Sequence, residues 1–159
     1  MKIISIDPGY ERLGIAIIEK ESGQKEELLY SACFQTCGKD CFEDRLNEIG
    51  REIEKIITEY KPQALIIESL FFNNNQKTAL KVSEAKGIIK YCALSKNIPV
   101  YEFTPLQIKT AITGYGRSDK KQITTMLPNL INIKKEVKYD DEYDAIAVGL
   151  TYFAYYPQI

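Results

Sequence analysis

The sequence has no histidine among its 159 residues. That absence removes a Ser-His-Asp triad and every histidine-based zinc site from consideration. No apolar stretch approaches the roughly 20 residues that a membrane span requires. The N-terminus, Met-Lys-Ile-Ile-Ser-Ile-Asp, reads as a strand and carries no signal-peptide cleavage site, so a cytoplasmic protein is expected. Cysteines number only four, Cys33, Cys37, Cys41 and Cys92, too few for a disulfide framework, and they are expected to be reduced thiols. The first three fall in a C-x3-C-x3-C spacing, but that run crosses from a strand through a loop into a helix, and no fourth ligand accompanies it. Repeats, low-complexity tracts and linkers are missing too. A single domain over residues 1–159, with a sizeable core, is the expected organisation.

What the chain does have is carboxylates at telling positions. Asp7 ends the apolar run Ile3-Ile4-Ser5-Ile6 and is followed by Pro8-Gly9; Glu68 ends Ala64-Leu65-Ile66-Ile67. Both stand where a buried strand emerges, which is where open α/β sheets place their sites. Asp141 and Asp144 are three residues apart at the start of a helical pattern, so they share one face. An ordinary reading of that pair is helix capping by Asp140 or Asp141. Asp144 resists it, because it lies further in, before Ala145-Ile146-Ala147-Val148. Four converging carboxylates repel one another unless cations bind between them. With only oxygen ligands available, the matching cation is Mg²⁺, with Mn²⁺ as a substitute. Two such ions per site, one activating water and one stabilising the leaving oxygen, would make a phosphodiester hydrolase.

Charge is divided along the chain. Residues 71–138 hold 12 Lys/Arg and 4 Asp/Glu, whereas the remainder holds 9 and 18, although the formal net charge is only −1. This split suggests a polyanion-binding surface beside an acidic site. Lys77 and Lys81 share a helical face and form a candidate strip for DNA; helix solubility explains them equally well.

The patterning predicts strands over 2–7, 13–20 and 26–35 as an antiparallel meander, then a helix from about Phe42 to Tyr60. A strand over 64–68, a helix from Gln76 to about Ser95, and a strand from Pro99 to Phe103 follow. Helices are expected from Pro105 to about Ile112, from about Ser118, and from Asp141 to about Tyr155. Three strands, a helix, then alternating strands and helices give an α/β fold of the ribonuclease H-like kind: a five-stranded mixed sheet with helices on both faces.

The run IDPGYERLGIAII resembles the opening of the RuvC family of bacterial Holliday-junction resolvases. The resemblance continues through IIESLFFNNN, ALKVSEAKG and PVYEFTPLQIKTAITGYGRSDKKQI to DEYDAIAVGLTY, collinear over essentially the whole chain. It implies a Mg²⁺-dependent homodimeric endonuclease that cuts two symmetric strands of a four-way DNA junction, with a branch-migration complex as a further candidate partner. It implies Asp7, Glu68, Asp141 and Asp144 as catalytic metal ligands, with Asp140 as the rival for the third place. It places on Phe71 the aromatic that stacks on a base at the junction centre, with Phe72 as neighbouring candidate. Lys109 and Lys120 match lysines that contact the DNA backbone, and Arg117 and Lys121 join them as candidates. The competing functions are a related nuclease on other branched DNA or RNA and a non-cleaving junction-binding protein.

Overall fold

The computed structural model describes residues 1–69 and 76–157, with the side chains of Gln76 and Lys77 also outside the described set. Its elements are β1 (Lys2–Asp7), β2 (Arg12–Glu19), β3 (Glu27–Gln35), α1 (Phe42–Tyr60), β4 (Ala64–Glu68), α2 (Gln76–Leu94), β5 (Val100–Phe103), α3 (Pro105–Thr113), α4 (Lys120–Leu130) and α5 (Asp140–Tyr155). The sheet runs β3-β2-β1-β4-β5, with β1, β2 and β3 antiparallel and β4 and β5 parallel to β1. This is the mixed five-stranded arrangement that the sequence pattern predicts.

Both faces of the sheet are covered, which is why its central strands read as continuous apolar runs rather than alternating ones. Ile4, Ile6, Ile15, Ile17, Leu65 and Ile67 pack against α1 and α2. Ile3, Ala16, Ile18, Ala64, Ile66 and Phe103 face the opposite layer, formed by α3, α4 and α5. Local chemistry sets the helix starts. Thr104 caps α3 and Asp119 caps α4, each in a capping box closed by a glutamine three residues on. The Asp119 box starts α4 at Lys120, two residues after the expected Ser118.

α5 departs from the expectation. It begins at Asp140 with Tyr139 as the N-cap, and no side chain caps it. Neither Asp140 nor Asp141 occupies the N-cap position, and each carboxylate has a basic partner outside the helix, Lys120 for Asp140 and Arg12 for Asp141.

The helix is drawn close to the sheet by two glycines. A Cβ on Gly14 would fall inside the van der Waals envelope of the Asp141 carbonyl oxygen, and one on Gly149 would lie 2.6 Å from Ser5 Oγ. These positions let the α5 backbone descend onto β1 and β2. Gly14→Ala is therefore expected to cost about 1–3 kcal/mol through overpacking. Gly38→Ala, which meets open space, should stay within about 0.5 kcal/mol of the parent. Urea denaturation of both variants checks this.

Candidate active site

Strand register brings the first two carboxylates together. β1 and β4 run parallel with Ile6 opposite Ile67, and the next residue on each strand is Asp7 and Glu68. The row extends across the sheet: Asp7 pairs with Gly14, Gly14 with Cys33, and Glu68 with Phe103. Because side chains alternate along strands, Asp7 follows Ile3 and Ser5, and Glu68 follows Ala64 and Ile66, onto the face covered by α5. The glycine in the row admits the first turn of α5 there, and with it Asp141 and Asp144.

The charges of these carboxylates act on one another. Burial, and then the charges of Asp144, Glu68 and Asp141, push the Asp7 carboxyl well above its usual range. Burial, followed by the Asp144 charge, also raises Glu68, against the effect of a hydrogen bond with Asp7. Asp144 is raised by burial, opposed by its hydrogen bond with Lys120. Two basic side chains partly offset this negative charge. Lys120 Nζ lies 2.7 Å from Asp144 Oδ2 and 2.7 Å from Asp140 Oδ2, and Arg12 Nε lies 3.4 Å from Asp141 Oδ2. Beside that pair, the Cys33 thiol, 3.9 Å from Asp141 Oδ2, is pushed up to about 11 by burial and then by the Asp141 charge. It is therefore a protonated, weak donor at neutral pH.

Next to the carboxylates opens a cavity of about 250 Å³. Glu68, Asp144, Lys109 and Lys120 supply its polar wall, and Ile108, Ile123, Ala147 and Val148 its apolar one. Anionic and cationic groups at one opening suit a substrate that is itself an anion and reacts next to bound cations. Among the described residues no three His, Cys, Asp or Glu side chains form a ready-made metal cage. The donor chemistry nevertheless fits a hard divalent cation: the donors are all oxygen, they repel one another, and a lysine ammonium already sits among them.

A family model for the crossover junction endodeoxyribonuclease RuvC matches residues 3–152. Curated relatives of that name include one from Thermosipho melanesiensis, 46% identical over 94% of this chain and 94% of its own length. Another, from Alkaliphilus oremlandii, is 45% identical over 94% and 91%. The chain belongs to the RuvC family. Among solved structures, Thermus thermophilus RuvC in complex with a Holliday junction substrate superposes with a TM-score of 0.91 at 27% identity, covering 98% of this chain and 94% of that one.

The remaining residues singled out for DNA fall in different places on this RuvC fold. Lys109 and Lys120 line the site cavity. Arg117 is exposed in the turn before α4, and Lys121 lines a separate groove of about 440 Å³ with Tyr115 and Gln122. The exposed Lys81 has its ammonium 5.3 Å from the Tyr10 ring centre and 5.1 Å from that of Phe42, on the α1 side of the sheet. Phe71 and Phe72 lie outside the described residues, as does the side chain of Lys77.

Pattern reading missed Arg12, Gly14 and Cys33 as neighbours of the site, and the partners of Asp140. Arg12 has a sequence signal, a cation opening a buried strand just after the DPG turn. Its target does not, because Asp141 is 129 positions away. A second network missed in the same way anchors the α5 entry. Ser31 Oγ donates to the buried Glu142 at 2.6 Å, and Lys135 Nζ reaches the same carboxylate and the Ser31 carbonyl, both at 2.5 Å.

The raised carboxyls have a consequence for stability. A carboxyl whose pKa is higher folded than unfolded binds more protons in the native state. Stability then falls as pH climbs from the unfolded value, near 3.9 for Asp, through the raised native one. Asp7→Asn is accordingly expected to raise the melting temperature in chelator at pH 8, and the gain should shrink toward pH 4. Thermal melts across that pH range check both.

Proposed function

We propose that this RuvC-family chain is an endonuclease that resolves four-way DNA junctions by hydrolysing phosphodiesters with divalent cations. The single observation that carries the reading is the meeting of Asp7, Glu68, Asp141 and Asp144 beside a lysine-lined cavity, in a chain collinear with the crossover junction endodeoxyribonucleases. Asp7 and Glu68, with Asp144 and Asp141, would hold Mg²⁺. Mg²⁺ would supply a Lewis acid for the phosphoryl oxygen and water at neutral pH. Lys109 and Lys120 are suited to pairing with phosphate at the cavity wall, and Arg117 and Lys121 to holding the backbone further out. Contacts of this sort position the duplex without reading its sequence.

Cleavage of a synthetic four-way junction, compared with linear duplex and an RNA hybrid, with Mg²⁺ or chelator, tests the reading. Asp7→Asn, Glu68→Gln and Asp144→Asn are each expected to reduce junction cleavage by roughly 10²-fold or more. Each should leave junction binding close to the parent's, since each removes one anionic donor with little change of volume. Wild-type rates in all three variants would mean that the chemistry resides elsewhere.

Resolution requires two nicks, so a two-fold dimer with two sites matches the symmetry of the substrate. α2 offers a surface for a second copy of the chain. Leu80, Gly87 and Leu94 recur at seven-residue spacing with Tyr91 between them, and Leu80, Tyr91 and Leu94 are 61%, 70% and 58% exposed. A Cβ at Gly87 would meet nothing within 4 Å, so a facing helix has room to approach closely there. The opposite side of α2 is already buried through Ala85, Ile89, Cys92 and Ala93. Replacing Tyr91 and Leu94 together by Glu should give a monomer in sedimentation velocity and convert paired junction cuts to single nicks.

A further inference from the structure

Lys120 is held between two aspartates of unequal character. Its backbone is set by the Asp119–Gln122 capping box at the start of α4, and α4 is anchored through Ile123 and Leu127. From there its ammonium reaches α5, where Asp140 and Asp144 stand one turn apart on the same face. Asp144 faces the site cavity, whereas Asp140 is 53% exposed and is absent from that wall. Asp140 does not serve as a helix cap, and its described ion-pair partner is Lys120. The hydrogen bond with Lys120 holds the Asp140 carboxyl below its ordinary range, while burial leaves that of Asp144 raised. The ammonium thus has one partner inside the site and one outside it.

We infer that Asp140 is a positioning residue, which keeps the Lys120 ammonium at the rim and so lets a divalent cation take Asp144. The inference rests on the metal site proposed above. A cation and an ammonium compete for the Asp144 oxygens. With Asp140 present, Lys120 gives up Asp144 and keeps an ion pair at the cavity mouth, beside Lys109. Without Asp140, the described partner left to Lys120 is Asp144, and a cation must displace the ammonium altogether. Asp140 therefore favours cation binding through Lys120 rather than by ligation.

Mn²⁺ binding to the DNA-free full chain, measured from the electron paramagnetic resonance signal of free Mn²⁺, tests this without reference to cleavage. Asp140→Asn is expected to weaken Mn²⁺ binding about fivefold. Asp140→Glu should restore most of the loss, because it returns an anion to the rim. In a Lys120→Met background, Mn²⁺ should bind more tightly than to the parent, and adding Asp140→Asn should change affinity by less than about twofold. Unchanged affinity in Asp140→Asn would overturn the inference. So would an equal loss with and without Lys120, which would mark Asp140 as a ligand or a plain through-space charge. Failure of the metal site itself gives a different result: the parent and Asp144→Asn would bind Mn²⁺ equally weakly, and the inference would fall with it.

Discussion

Mutual repulsion of carboxylates is the constraint around which this molecule is arranged. Strand register sets Asp7 beside Glu68, and helix packing sets Asp141 and Asp144 above them. Burial removes the water that would otherwise screen their charges, so Asp7, Glu68 and Asp144 all have raised carboxyls. Such an arrangement persists only because an apolar core on each side of the sheet supports it, and because cations reach it. Arg12 and Lys120 are two of the cations the chain itself supplies, and the Lys86 charge also acts on Glu68. Their neutralisation is partial, since the carboxyls of Asp7, Glu68 and Asp144 remain raised.

The geometry that concentrates the charge depends on small residues more than on the acidic ones. Gly14 and Gly149 remove side-chain volume where α5 crosses β2 and β1, and Ala145, Ala147 and Val148 fill the space beneath. A bulkier residue at Gly14 would lift the turn that carries Asp141. Glu142 adds a second anchor, since its buried carboxylate ties the start of α5 to Ser31 on β3 and to Lys135 in the preceding connector. Three consecutive acidic residues, Asp140, Asp141 and Glu142, thus take three different partners: Lys120, Arg12 and the Ser31–Lys135 pair.

The charge division along the chain acquires a different meaning once folded. A basic central segment and acidic flanks suggest a polyanion-binding surface next to an acidic site. Several of those lysines turn back onto the flanks, with Lys134 on Glu27, Lys135 on Glu142 and Lys120 on Asp140 and Asp144. Lys86 and Lys90 share Glu102 within the segment. Among the described residues of this segment Lys81, Lys96, Lys109, Arg117, Lys121 and Lys138 take part in no such ion pair, and of these Lys109, Arg117 and Lys121 lie at the site cavity and around α4. That smaller set is consistent with a mildly acidic chain acting on nucleic acid.

The fold was legible in the sequence, as were the strand ends and helix start that carry Asp7, Glu68, Asp141 and Asp144, because these depend on local rules. Strand runs that end in a carboxylate, helical spacing with capping boxes, and the collinear RuvC-like blocks all act over a few residues at a time. Element positions follow from them closely, β1 and β4 to the residue. The approach of α5 through Gly14, the pairing of Arg12 with Asp141, and the choice of Asp140 to hold Lys120 rather than cap its helix were decided by tertiary structure alone. Each joins segments separated by 20 to 129 positions in the chain. Periodicity carries no information across such distances, and only packing of the helix on the sheet brings those partners into contact.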